Sequence, residues 1–353
     1  MQRIMHIRTG IMLWILGVLV VPLQVHAQFS NDPVRSTITK VGTTAAQFLK
    51  LGVGARALGL GGAYVAEAND LSAIYWNPAG LALLSGSEVQ FSYTQYLADI
   101  QYNFAAFATN LGMWGTLGAA IYYMDSGEMP VRTVYHPEGT GERFKAQSLA
   151  LQLSYGRSLT DRFIIGFSFK YIREAIWHAS ASSVALDIGV RFITPYERLR
   201  LGASVSNFGP KMQMRGRDIW FSVDPDPQNE GNVEVVNAQY LMDWWPLPLL
   251  FRVGVAWDAI LTSDHRLMLM TDAAHPNDNS EYVNVGAEYT FRRLVSLRVG
   301  YKNAFERDGE QGLTFGGGIN LRVAGPLRMK VDYAYASFGR LESTNWFSVS
   351  LVF

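Results

Sequence analysis

Trp346-Phe347-Ser348-Val349-Ser350-Leu351-Val352-Phe353 alternates. Phe347, Val349, Leu351 and Phe353 fall on one side of an extended chain, Trp346, Ser348 and Ser350 on the other, and Val352 is the exception. A period of two sends successive side chains to opposite faces of a strand. The stretch reads as a strand that runs to the last residue and sets its carboxylate on an aromatic end. Ends of soluble domains are more often frayed and polar.

The same alternation recurs upstream. Leu327, Met329, Val331, Tyr333 and Tyr335 alternate with Arg328, Lys330, Asp332 and Ala334. Val184, Leu186, Ile188, Val190 and Phe192 alternate with Ala185, Asp187, Gly189 and Arg191. In each case the polar face carries charges or glycines. A soluble sandwich buries the apolar face, whereas a membrane barrel turns it to lipid, and both have period two. Loop lengths separate them. Fourteen strands are read, at 87–94, 100–109, 115–124, 145–156, 162–174, 182–193, 198–207, 249–258, 264–272, 281–291, 295–303, 312–323, 326–335 and 344–353. Connections after even-numbered strands are short, as at Ala324-Gly325, and those after odd-numbered strands are mostly longer, notably 125–144 and 208–248. Outer-membrane barrels have this asymmetry of tight periplasmic turns and longer outer loops. Backbone groups in lipid must pair internally, so the sheet must close. The fold class is all-β: a closed antiparallel transmembrane barrel spanning 87–353. The terminal strand also resembles the closing strand of outer-membrane barrels. Tyr155, Tyr171, Phe192, Trp257, Tyr301, Tyr335 and Phe353, near strand ends, suit interfacial girdles.

The N-terminal segment sets the destination. Arg3 and Arg8 precede an apolar stretch from Ile11 to Leu23, and Val25-His26-Ala27 offers small residues for cleavage. This reads as a signal peptide over 1–27, with Gln28 the first mature residue. The stretch is short for a membrane anchor of about 20 residues. The expected location is the bacterial outer membrane, with both termini periplasmic. No cysteine is present, which rules out acylation, disulfides and cysteine-ligated metal. Formal net charge is zero, which argues against nucleic acid as the main partner.

Residues 28–86 do not alternate. Ala45, Ala46, Phe48, Leu49 and Leu51 suit one short amphipathic helix. The run Gly52-Val53-Gly54-Ala55-Arg56-Ala57-Leu58-Gly59-Leu60-Gly61-Gly62-Ala63-Tyr64 is too small and glycine-rich for a core of its own. A fourteen-stranded barrel has a lumen too wide for its own side chains to fill. An N-terminal helical or irregular plug over 28–86 is the economical reading. Gly52-x-Gly54-x-x-Ala57 also matches a dinucleotide fingerprint, but no βαβ unit surrounds it. Close approach of plug and wall explains the glycines better.

The stretch Ala55 to Leu84, ARALGLGGAYVAEANDLSAIYWNPAGLALL, resembles the hatch of the FadL-type outer-membrane transporter superfamily. Ser206-Asn207-Phe208-Gly209-Pro210 and the overall length are more similar to its PorV/PorQ branch. The resemblance implies hatch residues at Asn77, Pro78, Ala79 and Gly80. It implies two activities: an accessory role in type IX secretion, binding cargo with a C-terminal secretion domain, or passive transport of long-chain fatty acids and other hydrophobic compounds. Pro78 fixes one φ and restricts Asn77, whose side chain bonds nearby backbone, so the motif is a rigid corner with or without a ligand role.

Three further features are weighed. Gly115 and Gly118, read in the third strand, offer weakened pairing for a sideways exit into lipid. Trp244 and Trp245, in the long 208–248 loop, suit contact with a hydrophobic ligand or a protein, or simple anchoring at the interface. Arg191, Asp187, Arg252, Glu288, Arg298, Lys302, Arg328, Lys330 and Asp332 read as a mixed-sign ladder packed on the plug rather than as a selective pore. The six histidines are scattered without metal-ligand spacing. No cofactor, no metal and no catalytic residue is nominated. The expected partners are outer-membrane lipid and either secreted cargo or a hydrophobic small molecule.

Overall fold

The computed structural model describes residues 40–353 except 197, 229–234, 307–308 and 342. The signal peptide, Gln28 and residues 28–39 of the expected plug lie outside the described residues.

Fourteen antiparallel strands form the wall: β1 Ser87–Gln95, β2 Gln101–Asn110, β3 Thr116–Asp125, β4 Ala146–Ser158, β5 Phe163–Ile176, β6 Ala179–Ile193 and β7 Leu199–Phe208. They continue as β8 Leu250–Leu261, β9 His265–Pro276, β10 Tyr282–Phe291, β11 Val295–Ala304, β12 Leu313–Ala324, β13 Leu327–Ser337 and β14 Ser343–Val352. Each pairs with its chain neighbours, and β14 returns to β1 in register from Glu88↔Val352 to Gln95↔Asn345. The sheet is therefore closed and has no edge, as a wall in lipid requires. A two-residue strand, Arg215–Gly216, extends β6 above the ring, and an isolated ribbon pairs Trp220–Val223 with Val236–Gln239.

The strand count follows the alternation, but several strands run longer than expected. β5 and β6 continue to Ile176 and from Ala179, so the expected loop between them contracts to a two-residue turn. The expectation that connections after odd-numbered strands are longer thus fails there. It holds most clearly at 126–145 and 209–249.

The faces sort as a lipid-embedded barrel demands. Phe347 is 50% exposed and Trp346 3%. Phe91, Ile121, Leu153, Phe169, Phe251, Leu297 and Phe315 point out and are exposed, whereas Glu88, Gln90, Ser92, Lys170, Asp187, Arg252 and Glu288 point in and are buried. In water this would be inside out. Val352, which breaks the alternation in composition, keeps it in geometry: it faces inward and is buried.

The molecule's core is therefore the content of the lumen, not the sheet. Residues 53–81 are almost continuously buried, and Phe48, Leu60, Tyr64, Leu71, Ile74, Trp76 and Leu81 cluster with inward wall residues such as Tyr102, Tyr122, Met268 and Trp346.

Candidate functional site

The lumen segment is irregular. It has one 3₁₀ turn (Gln47–Lys50), two single helical turns (Ala55–Leu58, Ala73–Trp76) and a 3₁₀ helix (Pro78–Leu83). The helix expected near 45–51 shortens to that first turn, which buries Phe48 and Leu49. Irregular backbone inside a barrel needs partners from the wall. Asp272 of β9 accepts the N–H of Tyr64 at 2.7 Å and of Val65 at 2.9 Å. Gln152 of β4 donates to Ile74 O at 2.7 Å, Ser204 of β7 to Trp76 O at 3.1 Å, and Thr314 of β12 to Gly59 O at 3.2 Å.

The Asn77-Pro78-Ala79-Gly80 element lies against β5 and β6. Pro78 opens the 3₁₀ helix, where its missing N–H costs nothing. Asn77 is fully buried and ties three pieces of chain. Its Oδ1 accepts from Ala79 N at 3.2 Å, and its Nδ2 donates to Val65 O at 2.9 Å and to Val190 O of β6 at 3.0 Å. Gly80 admits no side chain, because a Cβ there would overlap Ala68 O. Beneath the motif, a Cβ at Gly166 would overlap Pro78 and Ala79, and one at Gly189 would overlap Asn77 and Pro78. Gly166 and Gly189 are themselves cross-strand partners. The close approach expected of plug glycines is thus matched by glycines in the wall, which sequence reasoning missed.

Charges join segment and wall. Arg56 binds Glu288 at 2.8 Å and Asp70 at 3.3 Å, and Arg298 binds Glu288 and Asp332, each at 2.6 Å. Glu67 takes Arg191 at 3.2 Å, Arg200 at 2.8 Å and Arg266 at 3.0 Å. Lys170 pairs with Asp187, and Lys330 with Glu88. The mixed-sign ladder is present, but two of its centres, Arg56 and Glu67, belong to the lumen segment. Arg252 leaves the ladder and lies 5.3 and 5.0 Å from the ring centroids of Tyr75 and Trp76. Arg328 is exposed.

Residues 44–50 sit at the long-loop end. Thr44 and Gln47 donate to Asp278, Lys50 pairs with it at 3.0 Å, and Ala45 N donates to Pro246 O at 2.9 Å. Burial pushes the Asp278 carboxyl up, but the bonds from Gln47, Thr44 and Lys50 outweigh it and hold it below its ordinary range. The C-terminal strand ends at the opposite rim, where Phe353 bonds Ser87. Residues 44–50 therefore do not share the side of Phe353, as expected of the N-terminus; residue 28 lies outside the described residues.

Cavities open at both ends of the lumen. One, of about 540 Å³, opens at the short-turn end and is lined by charged groups including Arg56, Asp70, Arg266, Arg298 and Lys330. The other, of about 480 Å³, opens at the long-loop end between Phe48 and the loops after β1, β11 and β13.

Trp244 and Trp245 are both exposed. Trp245 pairs with Met212 through two 2.8 Å backbone bonds, and Arg215 lies over the Trp244 ring. The next residues turn into the mouth: Leu247 is buried, and Pro248 O accepts from Asn207 Nδ2. Asn207, in the Ser206–Pro210 motif, has a left-handed φ of 65° and also accepts from Lys170 at 2.8 Å. Gly115 is not in β3 as expected; it closes the preceding turn at φ 87°. Gly118 does lie in β3, facing Ile74 and Leu81, and β3 is paired with β2 and β4 from Thr116 to Asp125.

A closed barrel of this strand number with a filled lumen defines an outer-membrane protein of FadL-type architecture. The chain belongs to the family described as type IX secretion system protein PorV, whose family model matches residues 35–218. Its fold is shared with the toluene transporter TbuX of Ralstonia pickettii (12% identity, TM-score 0.53) and the toluene transporter TodX of Pseudomonas putida (12%, 0.54). It is also shared with a FadL homologue of Pseudomonas aeruginosa (10%, 0.51). Each comparison covers 85% of this chain and 97% of the other. At these identities the likeness is one of fold alone. No curated protein sequence matches the chain.

Proposed function

We propose that this outer-membrane barrel serves type IX secretion by receiving secreted proteins at its long-loop end, while residues 44–84 act as a fixed hatch. Family membership supports the pathway. The observation that carries the geometry is that the hatch is tied to the wall at both levels, through Glu67 and Arg56 within and Asp278 above. A lumen so cross-linked favours work at the rim over a moving plug. The exposed Trp244 and Trp245 and the open ribbon at 220–223 and 236–239 supply surface for a protein partner. The reading is non-enzymatic: among the described residues, His178 and His275 bond the exposed acids Asp218 and Glu281, and His265 bonds Tyr289, so none of these three is paired with a serine. Deleting the gene should remove proteins from the secreted and surface-attached set; an unchanged set would overturn the reading.

A second reading, passive transport of hydrophobic compounds, is favoured by the apolar walls of the outer cavity, where Phe48, Leu51, Ile100 and Met124 converge. It predicts slower uptake of fatty acids in the same deletion strain, and unaltered uptake would end it. The Asn77–Gly80 corner belongs to the hatch in either reading, and a sideways exit at β3 belongs to the second alone.

A further inference from the structure

Charge is out of balance at one corner of the short-turn end. Inward residues form cross-strand rows there. Gln90, Ser350, Lys330 and Asn320 make one row, and Glu88, Val352, Arg328 and Arg322 the row nearer the rim. Glu88, the acid of the lower row, is taken by Lys330 at 3.1 Å. Arg322 and Arg328 are left exposed and directly opposite each other. Like charges in that position repel. The turn after β10 adds to them. Asn320 N donates to Leu294 O at 2.8 Å, which sets Arg292-Arg293 beside Arg322. Arg292 has Asp264 at 3.6 Å and lies over the ring of the outward Phe291. Among the described residues, Arg293, Arg322 and Arg328 have no carboxylate within ion-pair distance. The strands and turns of this corner are all described, and β8 and β9 separate it from residue 197.

The turn is one that local physics would write differently. Leu294 N donates to Phe291 O at 2.9 Å and closes a two-residue hairpin in which Arg292 and Arg293 have φ 49° and 57°. Such turns favour Asn-Gly, because both central residues are left-handed. Two arginines keep a strained backbone there, and strain of this kind concentrates at functional sites. Arg293 lines the cavity of about 540 Å³, whose wall beside it holds an orphaned polar group. Gln90 is 4% exposed, and its Oε1 is buried with no donor. An orphaned acceptor is costly unless a ligand or water supplies the donor. Asn320 and Ser350 bring amide and hydroxyl groups to the same lining.

Three unpaired guanidinium groups select an anion that carries more than one charge, and their planar forks suit carboxylates. Lipid phosphates surround the outside of the wall, whereas Arg322 and Arg328 continue the inward faces of Asn320 and Lys330. Neighbouring Asp or Glu residues of a polypeptide, about 3.3 Å apart along an extended chain, bring several carboxylates to one place, and the same chain supplies N–H donors. The short turns face the periplasm. We propose that this corner of the rim docks an acidic segment of a periplasmic protein. Arg293, Arg322 and Arg328 hold its carboxylates, and Gln90 accepts an N–H from the part that enters the cavity. The inference goes beyond the receiving role of the long-loop end: it gives the barrel a second partner at its other face, whatever the long loops take up.

The test uses the full chain in nanodiscs of zwitterionic phosphatidylcholine and fluorescein-labelled decaglutamate, with binding read by anisotropy. Decaglutamate should bind, and the binding should weaken as salt is raised. The double variant Arg322→Gln, Arg328→Gln should bind at least about tenfold more weakly, the ratio lost when a charge-assisted bond goes. Arg157→Gln, at the short-turn end of β4 but on its outward face, should bind as the unaltered protein does. The barrel's heat-dependent gel shift checks the folding of each variant. Absence of binding, or an equal loss in Arg157→Gln, would overturn the proposal. Phosphatidylglycerol that copurifies with the unaltered protein and is lost from the double variant would make a lipid headgroup the occupant instead. Pelleting with isolated peptidoglycan that needs the same arginines, with decaglutamate ignored, would make it the cell wall. Each of these results refutes the acidic segment and leaves the reading of the long-loop end untouched.

Discussion

At the residue scale the interior is held by a few side chains that each bond several pieces of chain. Asn77 is one. Asn77→Ala would orphan Val65 O, Val190 O and Ala79 N in a dry place, at about 1–3 kcal/mol for each group that finds no water. Hydrogen exchange at the Ala79 amide, which bonds Asn77 Oδ1, should rise sharply, and unchanged protection there would remove the motif from the hatch. Asp278 is another, and it carries a pH sign. Its folded pKa is lowered, so its contribution is present above the unfolded value, about 3.9, and is lost as pH falls through the folded value. Protease cleavage near 44–50 should therefore stay low at neutral pH and rise only in strong acid. Asp278→Asn should raise it at neutral pH and flatten the profile. How legible such residues were differs. Asn77 stands in a recognisable motif. The partners of Arg56 and Glu67 were not legible, because Arg56 meets Glu288 across more than two hundred residues of chain and no local pattern encodes that meeting.

At the scale of the element, alternation located the wall strands because lipid outside and polar contents inside impose period two on nearly every one. Local rules gave no warning where one strand departs from it. Lys302 and Asn303 read as opposite faces, and a bulge in pairing puts both on one cavity. The wall glycines were legible and overlooked. Ile165-Gly166-Phe167 and Ile188-Gly189-Val190 each place a glycine at an inward site between outward apolar residues, which marks a second backbone in close approach. Gly189→Val, adding bulk where Asn77 and Pro78 already touch the wall, should cost about 1–3 kcal/mol or more and loosen the hatch from β6. The readout is ion conductance of the barrel in planar bilayers: an increase over the unaltered protein is expected, and an unchanged trace with intact folding would show that the hatch does not seal at that contact.

At the scale of the whole molecule, the fold is a closed sheet whose hydrophobic face is its outside and whose core is its own N-terminal region. The two faces should respond to charge in opposite ways. Phe347→Arg, at the middle of β14 and facing out, should cost about 2–4 kcal/mol if it lies at the bilayer midplane. Ser350→Lys, facing the polar cavity at the short-turn end, should be tolerated far better. The fraction of folded barrel on unboiled gels measures both, and equal effects would contradict the lipid assignment of the outer face.

The central claim is that this barrel receives secreted proteins. Mass spectrometry of what stays bound when the tagged protein is gently purified from native outer membranes tests it most directly. The account predicts several secreted or surface-attached proteins that share a C-terminal domain. Recovery of no protein partner, with a fatty-acid-like molecule in the lipid extract instead, would contradict it and leave the transporter reading in its place.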